Sequence, residues 1–559
     1  MGDFKNPVKV SINQFYGIEI NDFAVTVAKT ALWIAESQMV AETEKIIQHD
    51  IDFLPLKSYA NIKEGNALRL SWYEWEMEDK TPTIYAKRTI VYPNIEEKPG
   101  LIASEPQVYY ETLKLHTDKI ETSFVPEKPE THHVNFDYIM GNPPFVGYSF
   151  QSKEQKEDLA VLMDGFGKNI DYVAGWYVKA SQLIHGTNTH CALVSTNSIT
   201  QGEQVAAIWK PLFEQYDIHI DFAYRTFRWD SEADIKAHVH CVVLGFSAAP
   251  SVGPKTIYLS ETQSIQAKNI NGYLLDAPNL FIEKRTQPLC DVPEMIKGSI
   301  PVDDGNLIIE KEDYDEFIHK EPKSVKYIKR FLGAREFLHN EKRYCLWLKE
   351  ASPSDLNTMP LVKERIAKTK AFRLKSSKEA TRKYADYPSV FMEVRQPANN
   401  YIIVPSHSSE NRRYIPIGFE NPDVICGNAN LMIPNATLYH LGILTSNVHN
   451  AWMRVVCGRL EMRYRYSNTI VYNNFPWPNP TEAQKAKIEQ TAQAILDARA
   501  KYPDSSLADL YDELTMPLEL RSAHQENDKA VMAAYGFKSN LEESEIVAEL
   551  FRLYEGMVI

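Results

Sequence analysis

The 559-residue sequence predicts an α/β protein: a Rossmann-like, doubly wound sheet, then an α+β region, then a helical C-terminal segment. Three observations predict it. Near the amino end, Gln14-Phe15-Tyr16-Gly17-Ile18-Glu19-Ile20 is a short apolar strand ending in an acidic residue, and a helix follows from Asn21 or Asp22, either a good N-cap. Residues 134–141 are apolar and partly β-branched, end at a glycine and so read as a buried strand, then break into Asn142-Pro143-Pro144-Phe145. Beyond about residue 250 the β–α alternation gives way to short apolar strands such as 401–405 and, from Thr481, to helical periodicity.

In the first helix, Phe23, Val27, Ala31 and Leu32 fall on one face. Strand, acidic residue and helix form half of a dinucleotide-type unit, in which the carboxylate takes ribose hydroxyls, so Glu19 is the candidate for that role. Residues 71–133 are polar, tyrosine-rich and proline-punctuated and read as an insertion at the sheet edge. In the Asn142–Phe145 stretch neither proline supplies an N–H, and each restricts the residue before it to extended conformations. A stiff loop at the carboxyl end of a strand is where open α/β sheets place ligands. Its amide, fixed carbonyls and aromatic face suit a planar ring carrying an amine: Asn142 and the Pro143 carbonyl accept its two N–H hydrogens and Phe145 stacks on it. Taken alone, the same residues also fit a proline-rich turn with a core phenylalanine.

A polar helix is expected over 153–163, and Gly165-Phe166-Gly167, which follows no strand, reads as a turn. A second helix opens at Asp171, its candidate cap, and runs to about 184. The strand 191–195 leads to Thr196-Asn197-Ser198, and further strands are expected at 218–223 and 239–246. A linker at 248–254 closes this domain. The expected organisation is 1–250 catalytic, 251–299 connector, 300–478 recognition and 479–559 helical. In the last segment Thr481 with Gln484 fits a capping box, and Ile488, Ala492 and Ile495 share a face.

Composition narrows the function. No run is long and apolar enough to cross a membrane and the amino end is not a signal peptide, so a cytoplasmic protein is expected. Six scattered cysteines with no CxxC pair argue against a disulfide frame or a zinc site, and no metal is expected. A net charge of −13 runs against nucleic-acid binding, but residues 323–384 hold 17 Lys and Arg against 6 Asp and Glu. Arg395, Arg412, Arg413 and Arg459 are candidate base or phosphate contacts, each competing with a solvated or salt-bridged reading.

Asn-Pro-Pro-Phe after a strand resembles the catalytic motif of S-adenosylmethionine-dependent amino-group methyltransferases, chiefly DNA adenine-N6 enzymes. Residues 15–20, 195–204, 222–229, 433–440 and 466–478 narrow the resemblance to the large type IIG and IIL restriction–modification enzymes. It covers nearly the whole chain and implies a methyltransferase sheet, a target-recognition domain, double-stranded DNA as partner and base flipping. It also implies cofactor contacts from Glu19 and Ile20, and from Asn66 and Ala67, where 62–68 resembles a further family motif. The family carries a glycine-rich cofactor motif on the strand just before the Glu19 strand, and none of Met1 to Asn13 matches it. The expectation is therefore a sheet lacking its central first strand, with a second chain as its possible donor and with no nuclease segment. The rival readings are a catalytically incomplete DNA-binding recognition module and a methyltransferase of RNA or protein glutamine. The absence of any Pro-Cys pair excludes cytosine-C5 chemistry.

Overall fold

The computed structural model describes residues 10–48, 51, 60–76, 131–163, 169–230, 238–249 and 253–558. The expected insertion lies outside the described residues except at its ends, 71–76 and 131–133. The expected turn at 165–167 and the middle of the 248–254 linker also lie outside them. The chain divides into two units, residues 1–136 and 137–559.

In the first unit, β1 (Tyr16–Glu19) leads into α1 (Asp22–Ile47), and β2 (Asn61–Glu64) pairs parallel with β1, Glu19 opposite Glu64. Asn21 caps the helix, its Oδ1 accepting from the Ala24 amide at 2.9 Å. Two short antiparallel strands, β3 (Glu74–Glu76) and β4 (Thr131–His133), follow. The Tyr16 ring lies edge-on to Trp75 at 4.9 Å and Phe136 at 5.5 Å. The apolar face expected of α1 is not a buried face: Phe23 is 78% and Val27 50% exposed. A helix of 26 residues spans roughly 39 Å, whereas β1 and β2 hold four residues each, about 13 Å. Two such strands cannot cover it.

The second unit begins with β5 (Tyr138–Gly141), α2 (Lys153–Leu162), α3 (Ala174–Ile184), β6 (His190–Thr196) and α4 (Gly202–Tyr216). It continues through β7 (His219–Asp230), β8 (His238–Ser247), β9 (Lys255–Tyr258) and β10 (Ser264–Ala267). The six strands form one sheet in the order β10-β9-β7-β8-β6-β5. β5 runs parallel to β6 and β7 to β9, while β8 opposes both β6 and β7. Alternation buries Cys191, Leu193 and Ser195 of β6 against α3 and α4. There Tyr177 stacks on Phe246 at 5.5 Å and donates to the Leu193 carbonyl at 3.1 Å, and Trp209 donates to the Ile199 carbonyl at 2.9 Å.

β5 departs from expectation. It spans 138–141 rather than beginning near 134, and it is not buried: Tyr138 is 72% and Met140 80% exposed. The reason is its place at the sheet margin, hydrogen-bonded to β6 alone among the described strands. Side chains on a terminal strand have same-face neighbours on one side only, so Tyr138 and Met140, two residues apart on one face, are less covered than those of an inner strand.

The recognition region holds β11 (Ile296–Lys297), β12 (Ile308–Glu310), β13 (Ile328–Leu332), β14 (Arg343–Leu346), β15 (Tyr401–Pro405) and β16 (His407–Ser408). It continues with β17 (Gly418–Glu420), β18 (Val424–Cys426), β19 (Asn430–Pro434), β20 (Gly458–Leu460) and β21 (Arg463–Arg465). They form sheets in the orders β11-β19-β15-β17, β12-β14-β13-β18 and β16-β21-β20. All five residues of β15 are buried, as its unbroken apolar run requires.

Arg373, on the helix Pro360–Leu374, has no accessible surface. Its guanidinium donates to five carbonyls: Pro301 at 2.7 Å, Val302, Tyr387 and Val390 at 2.9 Å, and Tyr384 at 3.3 Å. Five bonds match its five N–H donors, and this one side chain ties segments 301–302 and 384–390 to the helix.

The helical tail starts as expected. Thr481 and Gln484 form a capping box, and Ile488, Ala492 and Ile495 are buried in the helix Glu482–Ala500. The helix Leu518–Tyr535 presents buried Asp528 to the recognition region, where Tyr414 Oη donates to it at 2.7 Å and the Asn447 amide at 2.8 Å. Burial pushes the Asp528 carboxyl up to about 6 despite those two bonds. Among the described residues no helix is long and apolar enough to cross a membrane, and no group of three or more His, Cys, Asp or Glu is arranged to hold a metal.

Two outcomes follow. Arg373→Ala removes five buried hydrogen bonds, with the Pro301, Tyr384 and Tyr387 carbonyls each keeping one backbone donor, and lowers unfolding free energy by roughly 3–5 kcal/mol in denaturant titration. Arg373→Lys, with three donors, recovers only part of that loss. Because the Asp528 carboxyl binds its proton more tightly folded than unfolded, its stabilising contribution is complete below about pH 4 and is lost as pH rises through about 6. Relative to Asp528→Asn, the native protein therefore gains about 2–3 kcal/mol on acidification from pH 7 to 4. A constant difference across that range would contradict the assignment.

Candidate active site

Asn142, Pro143, Pro144 and Phe145 follow β5 directly, at the carboxyl end of the parallel β5–β6 pair, where Gly141 is in register with Leu193. Asn142 and Pro144 are exposed, Pro143 is buried and Phe145 half-buried. Asn142 is therefore accessible beside a buried proline, and Phe145 is only partly covered. The Val146 carbonyl accepts from the Tyr172 amide at 2.9 Å, which pins the far end of the loop. Four residues, two of them prolines, lie between these two anchors.

β6 delivers Thr196, Asn197 and Ser198 to the same end of the sheet. Asp171 is not the cap of α3: Val173 occupies that position, and the Asp171 carboxylate accepts from the Tyr148 amide at 2.9 Å and the Ser198 hydroxyl at 2.6 Å. A capping reading from sequence missed this because the partners lie 23 and 27 residues away.

In the first unit, Glu19, Ile20, Asn66 and Ala67 come together at the carboxyl end of the β1–β2 pair, where the Gly65 amide donates to the Glu19 carbonyl at 2.7 Å. Ile20 is 66% exposed. Asn66 Oδ1 accepts from the Leu68 amide at 2.9 Å, and the Ala67 carbonyl from the Trp72 indole at 2.8 Å. One acceptor position of the Asn66 amide thus shapes its own turn.

Of the four arginines singled out by sequence, three are brought together. Arg459, on β20, lies over the Tyr464 ring at 4.5 Å and donates to the Met462 and Arg454 carbonyls. Arg454 in turn donates to the Arg413 carbonyl. Arg413 is exposed beside the Tyr414 ring, and Arg412 is half-buried facing Asp512. Arg395 stands apart near the Ile300–Glu393 bridge, paired with Glu393. The structure adds Arg463 and Arg465, exposed on β21 while Tyr464 and Tyr466 between and beyond them are buried. The strict Arg-Tyr alternation over 463–466 was the signal that sequence reading passed over.

This arginine hairpin abuts the segment that follows the carboxyl end of β6. Gly202, at the start of α4 with φ +56°, approaches the hairpin so closely that a Cβ would stand 3.1 Å from Gly458 Cα. Glycine is the residue that satisfies both the left-handed backbone and the contact.

The chain matches three domain families end to end: the MmeI DNA-methyltransferase domain over residues 2–259, the MmeI target recognition domain over 276–479 and the MmeI C-terminal domain over 480–559. It superposes on the structure of the type IIL restriction-modification enzyme MmeI in complex with DNA with a TM-score of 0.81 and 41% identity, over 99% of this chain and 68% of that one. The chain belongs to the MmeI family. It is also 36% identical over 560 residues to DNA methyltransferase A of Bacillus subtilis (strain 168), covering all of this chain and 57% of that protein. Against this MmeI-type background the Asn142–Phe145 loop falls within the methyltransferase match, and the arginine hairpin within the recognition match.

Proposed function

We propose that this chain performs the modification step of a restriction–modification system, site-specific methylation of adenine N6 in double-stranded DNA in the cytoplasm. The observation that carries the reading is the Asn142–Phe145 loop, with an exposed asparagine, a buried proline and a half-buried phenylalanine at the carboxyl end of a parallel strand pair. The division at 1–250, 251–299, 300–478 and 479–559 assigns catalysis, connection, recognition and bracing.

The target adenine leaves the duplex, because its amine is unreachable in the stack. Asn142 and the Pro143 carbonyl accept its two N–H hydrogens, which turns the nitrogen lone pair out of conjugation and toward the methyl. Phe145 stacks on the base. Positioning supplies much of the rate, so no strong general base is required. S-adenosylmethionine, when bound, supplies the electrophilic methyl. The fit of its adenosine portion rests on the Glu19 carboxylate for the ribose hydroxyls, exposed Ile20, and the Asn66–Ala67 turn at the adjacent strand end.

Arg395, Arg412, Arg413 and Arg459, with Arg463 and Arg465, are assigned to DNA. Within 323–384 the contribution comes from the outward cations, since Arg373 is committed to the core and Arg365 donates to the Asn306 and Ile308 carbonyls.

A second reading, a recognition module that binds DNA without transferring a methyl, draws on the margin of β5, which among the described strands pairs with β6 alone and where Tyr138 and Met140 are exposed. A second polypeptide adding a strand to that margin would reconcile the two readings.

Asn142→Ala abolishes methyl transfer from labelled S-adenosylmethionine to DNA while DNA affinity stays within about 2-fold, because phosphate and base-edge contacts lie elsewhere. Unchanged turnover in that variant would sink the catalytic assignment.

A further inference from the structure

Both ends of the Asn142–Phe145 loop must be held if its carbonyls are to keep one direction. The near end is held by the β5–β6 ladder. The far end, 146–148, is held by residues 171 and 172: the Tyr172 amide donates to the Val146 carbonyl, and the Tyr148 amide donates to Asp171 Oδ1 at 2.9 Å. Gln151, buried at 7% exposure, extends the seam through Nε2 to the Ile170 carbonyl at 2.8 Å.

The second carboxylate oxygen of Asp171 reaches in the opposite direction. Ser198 Oγ donates to Oδ2 at 2.6 Å, and Thr196 Oγ1 lies 2.8 Å from Ser198 Oγ. A serine hydroxyl has one hydrogen. With that hydrogen on Asp171, Thr196 must be the donor to Ser198, so the chain runs Thr196 to Ser198 to Asp171, with the Tyr148 amide arriving from the other side. The Asp171 amide donates to Gln204 Oε1 on α4 at 3.2 Å, which fixes the aspartate itself. The two carboxylate oxygens accept separately and so join a loop N–H to a strand-end hydroxyl.

We propose that Asp171 is a positioning residue for methyl transfer: its carboxylate clamps the loop after Phe145 to the carboxyl end of β6 through Ser198. It sets the direction of Asn142 and the Pro143 carbonyl without touching the base. This rests on the reading of Asn142–Phe145 as the transfer loop. Removing the clamp leaves the far end held only by the Tyr172–Val146 and Gln151–Ile170 bonds, and an ångström of misplacement at the reacting nitrogen is enough to slow the step severely.

The test combines hydrogen exchange, read by mass spectrometry on peptides spanning 142–150 and 190–196, with steady-state methyl transfer, all on the full chain. In Asp171→Ala, exchange over 142–150 rises by on the order of 10-fold while 190–196 keeps its protection. The turnover number falls by about 100-fold with KM for DNA and cofactor little changed. Asp171→Asn retains an oxygen for Tyr148, and Ser198 can reverse its hydroxyl toward Thr196, so most of the protection and turnover return. Ser198→Ala falls between. Native exchange over 142–150 in Asp171→Ala would overturn the proposal, as would loss of protection across 190–196 as well, which would mark a general structural role. The exchange result stands whether or not transfer is detected. If Asn142→Ala turns over normally while Asp171→Ala still frees the loop, the transfer reading has failed and the clamp has not.

Discussion

Two consecutive prolines at the mouth of a parallel strand pair are the constraint from which the site follows. They remove two N–H donors and confine the backbone of Asn142 and Pro143 to extended conformations, so the loop presents acceptors and cannot turn them inward. Such a loop is useful only on a rigid base. The β5–β6 ladder supplies one anchor and the 170–172 seam the other, and β6 with the turn that follows it serves both, through Leu193 at one point and Ser198 at another. Damage to β6 or α4 should therefore reach the loop without any contact to it.

The recognition region handles its positive charge in two ways. Arg373 is buried and fully bonded, a structural bolt in a stretch whose composition alone reads as a DNA-binding surface. Arg463 and Arg465 are exposed on a strand whose Tyr464 is buried, and Gly202 lets that hairpin approach the start of α4. Net charge of the whole chain, −13, says little about either. Distribution decides.

Local chemistry was legible in the sequence, and long-range pairing was not. Asn21 caps α1, Thr481 and Gln484 form their box, and a strand, shorter than its apolar run, ends at Gly141 just before Asn142. Each of these depends on residues a few positions apart. Asp171 looked like a helix cap because caps are local, whereas its partners come from a loop before it and a strand end after it. Phe23, Val27, Tyr138 and Met140 looked buried because periodicity reports which face is apolar, and says nothing of whether anything covers it. The missed arginines of β21 are the converse: their alternation was visible, but only the pairing of β21 with β16 and β20 shows that the pattern is a hairpin.

The central claim is the identity of the atom that receives the methyl. The direct measurement is mass spectrometry of nucleosides from DNA incubated with the purified chain and isotopically labelled S-adenosylmethionine. The account predicts label in N6-methyladenine and in no cytosine derivative. Label in a cytosine derivative would contradict it, and DNA binding with no label in any nucleoside would leave the recognition-module reading in its place.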